Sequence, residues 1–278
     1  MVGWGPSGRK LRRPRGGGGF HPVTAVYDTI GRGYAGQRRA DPRLAAAIRA
    51  ALGNARSVVN VGAGGGSYEP SDLSVLAVEP SREMIRQRPI GAAPAVQAVA
   101  ERLPLADGSV DAALAVLTVH HWDDRAAGLA ELARVARRRV VILTWDPARG
   151  DSFWLTAEYL PEIVAFDAGR FPSLGELERA LGPLDARALP VPHDCVDGFL
   201  GAYWRRPEAY LDPDVRRAMS GFIQLSPRLA DAGLARLAED LGSGRWESRF
   251  GHLRARDEAD LGYRLIVSER APRRDAAR

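Results

Sequence analysis

The run Ser57-Val58-Val59-Asn60-Val61, which continues directly into Gly62-Ala63-Gly64-Gly65-Gly66, decides the fold. A short apolar run that ends in a glycine cluster predicts a buried β-strand followed by a tight turn. Glycine has no Cβ, so such a turn lets backbone N–H groups come close to a ligand. A mobile loop in a glycine-rich protein is the plain alternative, and the position between two apolar runs disfavours it.

Further short apolar runs follow along the chain and alternate with helical patterns. They are Val75 to Val78 (ending in Glu79), the weaker Ala95 to Val99, Ala112 to Leu117, and Val140 to Leu143. Runs of this kind are typical of a parallel sheet that is buried on both faces. Ala186 to Val191 and Tyr263 to Val267 are candidate later strands, with a helical pattern over 194–244 between them. The sequence therefore predicts one α/β sheet with a helical insertion before its last strand.

Helix boundaries are marked by capping residues. Asp41-Pro42 begins a helix whose apolar face is Leu44, Ile48 and Leu52; Asp123 is the predicted cap of a helix that carries Leu129, Leu132 and Val135; and Ser173 with Glu176 forms a capping box for Leu174 to Leu181. An earlier helical face combines Tyr27, Ile30, Tyr34 and Arg38.

The acidic residue that follows the second apolar run helps to distinguish between two classes of nucleotide-binding site. Glu79 stands 17 residues after Gly62, and a carboxylate there can accept hydrogen bonds from both ribose hydroxyls of a nucleoside. Dinucleotide enzymes use G-x-G-x-x-G with a full helix behind it, and that pattern requires glycine where this chain has Ser67. The interval leaves room for only a turn or two of helix, which also argues against a dinucleotide.

Four blocks resemble the class I S-adenosylmethionine-dependent methyltransferases, in the ubiquinone-biosynthesis-like (methyltransferase type 11) branch. They are Val58 to Gly66, similar to motif I; Val78-Glu79-Pro80-Ser81 with Met84; Ala100-Glu101-Arg102-Leu103-Pro104-Leu105 with Asp107 to Asp111; and Leu117-Thr118-Val119-His120-His121-Trp122. The resemblance runs from about Tyr27 to Asp146 and is specific for the cofactor rather than for the acceptor. The family usually has aspartate at the position of Asn60 and often has aspartate at the position of Val99.

The resemblance implies a Rossmann-like sheet of seven mostly parallel strands with an antiparallel last strand and helices on both faces. It implies S-adenosyl-L-methionine as cofactor and methyl transfer to a small-molecule acceptor by in-line displacement. The residues expected to bind the cofactor are Tyr34, Arg38, Asn60, Gly62, Gly64, Gly66, Glu79, Ser81, Met84, Ala100, Glu101, Leu117 and Thr118. A protein that binds the cofactor with weak or no catalysis and an RNA methyltransferase are the alternative functions.

Two histidines follow the fourth run, at the edge of the sheet where ligands bind. His120 or His121 is therefore the candidate base, and packing of one beneath the cap with the other facing solvent is the alternative. His193 is a weaker candidate for a substrate pocket. No metal site is expected, because no further ligands are spaced to complete one with His193 and Cys195. The aromatic segment from Phe199 to Phe222 either lines an acceptor pocket or buries a helix face.

The net charge of +5 is concentrated at the ends of the chain. Residues 1–22 and 269–278 are predicted to be disordered basic tails, residues 23–150 to form the cofactor-binding core, and residues 151–268 to supply the remaining strands and a helical substrate cap. A nucleic-acid partner is a minor alternative for the first tail. The single cysteine, Cys195, suits a reducing cytoplasm, and no apolar run reaches the length of about 20 residues that spans a membrane.

Overall fold

A seven-stranded sheet forms the centre of the computed structural model, which describes residues 39–217 and 219–270. Its strands are β1 (Ser57–Val61), β2 (Ser74–Val78), β3 (Ala95–Val96), β4 (Val110–Val116), β5 (Ala136–Trp145), β6 (Asp185–Ala188) and β9 (Tyr263–Glu269). They lie in the order β3-β2-β1-β4-β5-β9-β6. The first five are parallel, and β9 is antiparallel to both β5 and β6. The predicted fold class is confirmed.

The strand register brings the ends of the central strands together. Val61 of β1 lies beside Val78 of β2, and Asn60 lies beside Leu114 of β4. Because these strands are parallel, the residues that follow them emerge at the same edge of the sheet. The glycine run after β1, Glu79 after β2 and Leu117 after β4 therefore meet at this edge.

Each face of the sheet carries its own apolar layer. On one face α1 (Pro42–Ala51) buries Leu44 and Ile48, and Asp41 caps its first turn by accepting a hydrogen bond from the Arg43 N–H, as predicted. On the opposite face lie α3 (Arg125–Val135) and α5 (Leu174–Leu181). The predicted cap at Asp123 was wrong by one residue, because the Asp124 carboxylate accepts the hydrogen bond from the Ala127 N–H.

The crossover between β1 and β2 has no helix. Residues 62–73 form successive turns, and the first helix after the site is the five-residue α2 (Arg82–Arg86) behind β2. The expected turn or two of helix is therefore absent. The glycine run and Pro70 disfavour helical backbone over most of the crossover, which leaves too few residues for a helix to pack.

A cap made of residues 147–171 and 189–262 covers one end of the sheet. It contains α4 (Pro161–Asp167), α6 (Pro213–Arg216), α7 (Ser220–Gln224), α8 (Pro227–Gly242), α9 (Arg245–Phe250) and a small ladder of β7 (Val191–Pro192) with β8 (Glu258–Ala259). Its core is aromatic: Trp204, Tyr210 and Trp246 are fully buried. The Trp154 indole N–H donates to the Trp204 carbonyl at 2.8 Å, which satisfies that buried donor.

Two of the later strands differ from their expected bounds. The predicted strand from Ala186 to Val191 divides into β6 and β7, because Pro190 has no N–H with which to continue the ladder. The last strand extends through Glu269. The expected helix with Tyr34 and Arg38, and residues 1–22, lie outside the described residues, as do residues 271–278. Within the described part of the chain, no helix is long and apolar enough to cross a membrane.

Candidate active site

A pocket of about 550 Å³ opens at the shared edge of β1, β2 and β4; we call it the first pocket. Its size is ordinary for a small-molecule site. Eleven of the described residues expected to bind the cofactor line it together with His121: Asn60, Gly62, Gly64, Gly66, Glu79, Ser81, Met84, Ala100, Glu101, Leu117 and Thr118. The structure thus gathers into one concave surface residues that are spread over almost 60 positions of the sequence.

The floor of the first pocket depends on a close approach between two loops. Gly62 has φ +68, and a Cβ at this position would lie 1.9 Å from the Thr118 Oγ1. A side chain is therefore excluded by both conformation and space. Leu117 next to Thr118 also has a left-handed backbone, with φ +49, which is uncommon for a residue with a side chain. Backbone strain of this kind is concentrated at functional sites.

Glu79 is a buried carboxylate held in place by backbone donors. Its Oε2 accepts a hydrogen bond from the Gly64 N–H at 2.8 Å, and its Oε1 accepts one from the Ser81 N–H at 3.0 Å. The Ser81 hydroxyl in turn caps α2 by accepting from the Met84 N–H. The acid of the second strand is thereby tied to the glycine run, and its orientation at the pocket wall is fixed before any ligand binds.

An ion pair behind the glycine run was not expected from the sequence. The Arg88 guanidinium donates to the Glu69 carboxylate at 2.5 Å, and both side chains are almost fully buried. Arg88 also donates to the Gly64 carbonyl at 3.2 Å, while Glu69 accepts a hydrogen bond from the Asn60 amide at 3.2 Å. The Asn60 Oδ1 atom is buried and has no hydrogen-bond partner among the described residues. The pair thus connects the crossover to the glycine run through the Gly64 carbonyl.

A second cavity of about 80 Å³ lies between the sheet and the cap. Leu117 and His121 line both the first pocket and the second cavity, so the two spaces adjoin there. The rest of the lining is largely aromatic and apolar, and includes Trp145, Phe153, Phe171, Phe199 and Tyr263. Of the aromatic segment from Phe199 to Phe222, Phe199 thus faces this cavity, whereas Trp204 and Tyr210 are buried in the cap.

The two histidines differ in their surroundings. His120 is buried and stacks on the Phe171 ring, with centroids 3.8 Å apart and an interplanar angle of 17°. His121 is half-buried, and its Nδ1 lies 3.5 Å from an Arg170 guanidinium nitrogen. Both histidines line the second cavity, and neither is fully exposed to solvent. By contrast, His193 lines neither space, and its Nδ1 lies 3.1 Å from the Asp257 carbonyl.

Asp167, at the end of α4, is the acidic residue in the lining of the second cavity, and no motif drew attention to it. Burial raises the pKa of its carboxyl from 3.8 to about 6, and the positive charge of Arg170 opposes this rise. No arginine or lysine of the described chain lines the cavity. Sequence periodicity could not have revealed the site, because the effect arises from the fold of the cap over the sheet.

Comparison with known proteins agrees with this geometry. Residues 59–144 match the family model described as a methyltransferase domain. A putative methyltransferase from an antibiotic biosynthesis pathway of Anabaena variabilis is 33% identical, with a TM-score of 0.76 over 84% of this chain and 98% of that chain. The chain belongs to the class I S-adenosylmethionine-dependent methyltransferases. The sequence blocks and the strand order both agree with membership of this family.

Other relatives are more distant or match over a shorter stretch. Uncharacterized methyltransferases of Mycobacterium tuberculosis and Mycobacterium bovis are 39% identical to this protein over 89 residues, which is 30% of this chain. The matched segment spans only 36% of the length of these curated relatives. The [4+2]-cyclase SpnF is 14% identical with a TM-score of 0.52 over 90% of this chain and 96% of that chain, and this likeness concerns the fold alone.

Proposed function

We propose that this protein binds S-adenosyl-L-methionine in the first pocket and transfers the methyl group to a small molecule in the second cavity. The observation that carries the proposal is the adjacency of the two spaces at Leu117 and His121. One space has the glycine run and the buried carboxylate expected for a nucleoside with an amino-acid tail. The other is lined largely by aromatic and apolar side chains, as small-molecule sites commonly are.

The residues of the first pocket fit the cofactor. Glu79 would hold the ribose hydroxyls, because its carboxylate is buried and already oriented by two backbone N–H groups. Gly62 and Gly64 would contact the methionine end. The buried Asn60 Oδ1, which has no hydrogen-bond partner in the part of the chain that the structure describes, would accept a hydrogen bond from the cofactor's amino group. The family's aspartate would add a negative charge at this position. Here the nearby negative charge is that of Glu69, and Arg88 neutralises it.

The remaining contacts are proposed by position in the lining. Ser81, Met84, Ala100 and Glu101 would surround the adenine and its ribose, while Leu117 and Thr118 would line the methionine portion. Tyr34 and Arg38 stay a prediction, because they lie outside the described residues.

The chemistry that the cofactor supplies is a methyl group activated by a positively charged sulfur. The protein's own part is to orient the acceptor in line with that group and to exclude water from the cavity. In such a transfer the acceptor would gain the methyl group, lose a proton and leave the electron pair of the broken bond on the cofactor's sulfur. His121, which borders both spaces, and His120, which lies deeper, are the proposed recipients of that proton.

Substitution of the carboxylate tests the cofactor assignment. Glu79→Ala should raise the dissociation constant of S-adenosylhomocysteine by about 30- to 100-fold, the loss expected for hydrogen bonds to a charged acceptor. Glu83→Ala, in α2 and outside the pocket lining, is the matched control and should bind like the unmodified protein. If the two variants bind S-adenosylhomocysteine with equal affinity and have unchanged circular dichroism spectra, Glu79 does not contribute to cofactor binding.

A further inference from the structure

The second cavity combines an aromatic wall with one acidic group. Phe171 and Trp145 pack edge-to-face with ring centroids 5.5 Å apart, and Phe199 and Tyr263 do so at 4.9 Å. These rings offer both apolar area and the negative faces that attract a cation. Asp167 lies in the same lining. The lining thus favours a ligand with an apolar body and a positively charged end.

The Asp167 carboxylate forms no hydrogen bond or ion pair with any residue in 39–217 or 219–270; the positive charge that acts on it is that of Arg170. The Arg170 guanidinium makes other contacts. It donates to the Gln224 side chain, lies 5.0 Å from the centre of the Phe166 ring and reaches the His121 Nδ1. Among these described residues the carboxylate is thus unpaired, which leaves it able to bind a ligand in the cavity.

A half-buried carboxylate without a partner destabilises a protein, so its presence in a ligand cavity points to a role in binding. A ligand ammonium would form a charge-assisted hydrogen bond with it and would lie near aromatic rings. A neutral hydroxyl would gain less from the same contact, and a ligand carboxylate would be repelled. The charge of Asp167 should therefore make the cavity bind amines most tightly, alcohols less tightly and carboxylates most weakly.

We propose that the second cavity recognises a small amine: its ammonium group pairs with Asp167 and its apolar body lies against the aromatic rings. The inference rests on the proposed function, in which this cavity receives the methyl acceptor. The atom that takes the methyl group must reach the boundary with the first pocket at Leu117 and His121, so Asp167 fixes the orientation of the acceptor through its amine.

Three probes of similar size test the assignment on the full chain: phenethylamine, 2-phenylethanol and phenylacetate. Their affinities are measured by calorimetry at neutral pH with saturating S-adenosylhomocysteine. Phenethylamine should bind at least roughly tenfold more tightly than 2-phenylethanol, and phenylacetate should bind most weakly. Asp167→Asn should reduce this preference to less than about threefold. Glu162→Gln, on the same helix but outside the cavity lining, should retain it.

The pH dependence gives a readout that a purely structural role would not change. Lowering the pH through about 6 protonates Asp167 and should weaken phenethylamine binding to the unmodified protein. The Asp167→Asn variant keeps His120, His121 and Arg170, so any effect of these neighbours remains in the variant and is subtracted. In this variant, the part of the pH dependence of phenethylamine binding that comes from the carboxylate should be absent.

Three results would overturn the inference: equal binding of the amine and the alcohol, an unchanged preference in Asp167→Asn, or no binding of phenethylamine. A separate titration of the ligand-free protein with S-adenosylhomocysteine distinguishes a failure of the amine assignment from a failure of the proposed function. If that titration shows binding but the amine preference is absent, the amine assignment fails and the proposed function stands. If S-adenosylhomocysteine does not bind, the proposed function fails as well.

Discussion

Asp167→Asn should stabilise the protein at neutral pH although it removes a side chain from the proposed acceptor site. A carboxyl whose pKa rises from 3.8 to about 6 on folding destabilises the native state above that pH. The full difference corresponds to at most about 3 kcal/mol. Because the side chain is only half-buried, screening by solvent reduces the expected gain to about 1–1.5 kcal/mol. Asparagine has a similar shape and no charge to bury.

The sign of the pH dependence follows from proton binding. The folded protein binds the Asp167 proton more tightly than the unfolded chain does. The stability that this proton provides is therefore complete below pH 3.8 and is lost as the pH rises through about 6. The advantage of the variant should accordingly be largest above pH 7 and should shrink by at least half near pH 4.5.

Urea unfolding followed by circular dichroism at both pH values measures this difference. Glu162→Gln on the same helix is the control and should change the free energy of unfolding by no more than about 0.5 kcal/mol at either pH. A variant that is less stable than the unmodified protein at neutral pH would refute the reasoning. It would mean that the carboxylate already has a stabilising partner.

Three other experiments test the packing of buried residues in and around the site. Gly62→Ala should lower the free energy of unfolding by more than about 2 kcal/mol, whereas Gly175→Ala, in an open helical position, should raise it by about 0.5 kcal/mol, both by urea titration. Arg88→Met should lower the free energy of unfolding by about 3–5 kcal/mol, because it leaves the Glu69 carboxylate buried without a counter-charge. Adding Glu69→Gln to this variant should restore part of the loss, and additive effects of the two substitutions would contradict the ion pair. Cys195 is buried and burial raises its thiol pKa to about 12, so a thiol reagent at pH 8 should label it only in the unfolded chain; rapid labelling of the folded protein would contradict its burial.

The strands and the first pocket could be predicted because their signals are local. A parallel strand buried on both faces appears as an apolar run, and β1 agrees with the predicted bounds residue for residue. The glycine run and Glu79 follow such runs directly, and parallel strands bring their ends to one edge. The sequence order of the motifs therefore determines their meeting in space.

Other features depend on contacts between segments that are far apart in the chain. Arg88 and Glu69 form a buried pair only because the crossover turns back on itself without a helix. Asp167 has an unusual environment only because α4 folds over the carboxyl edge of the sheet. Neither residue stands in a recognisable motif. Propensity and periodicity describe neighbours within a turn or two, and they do not report burial that the tertiary fold creates.

Calorimetric titration of the unmodified protein with S-adenosyl-L-methionine tests the central claim most directly. The account predicts one binding site per chain with a dissociation constant of about 100 μM or tighter, which corresponds to a binding free energy of roughly −5.5 kcal/mol. Absence of binding at a cofactor concentration of about 1 mM by a folded protein would contradict the account, because the pocket formed by the glycine run and Glu79 would then have no such ligand.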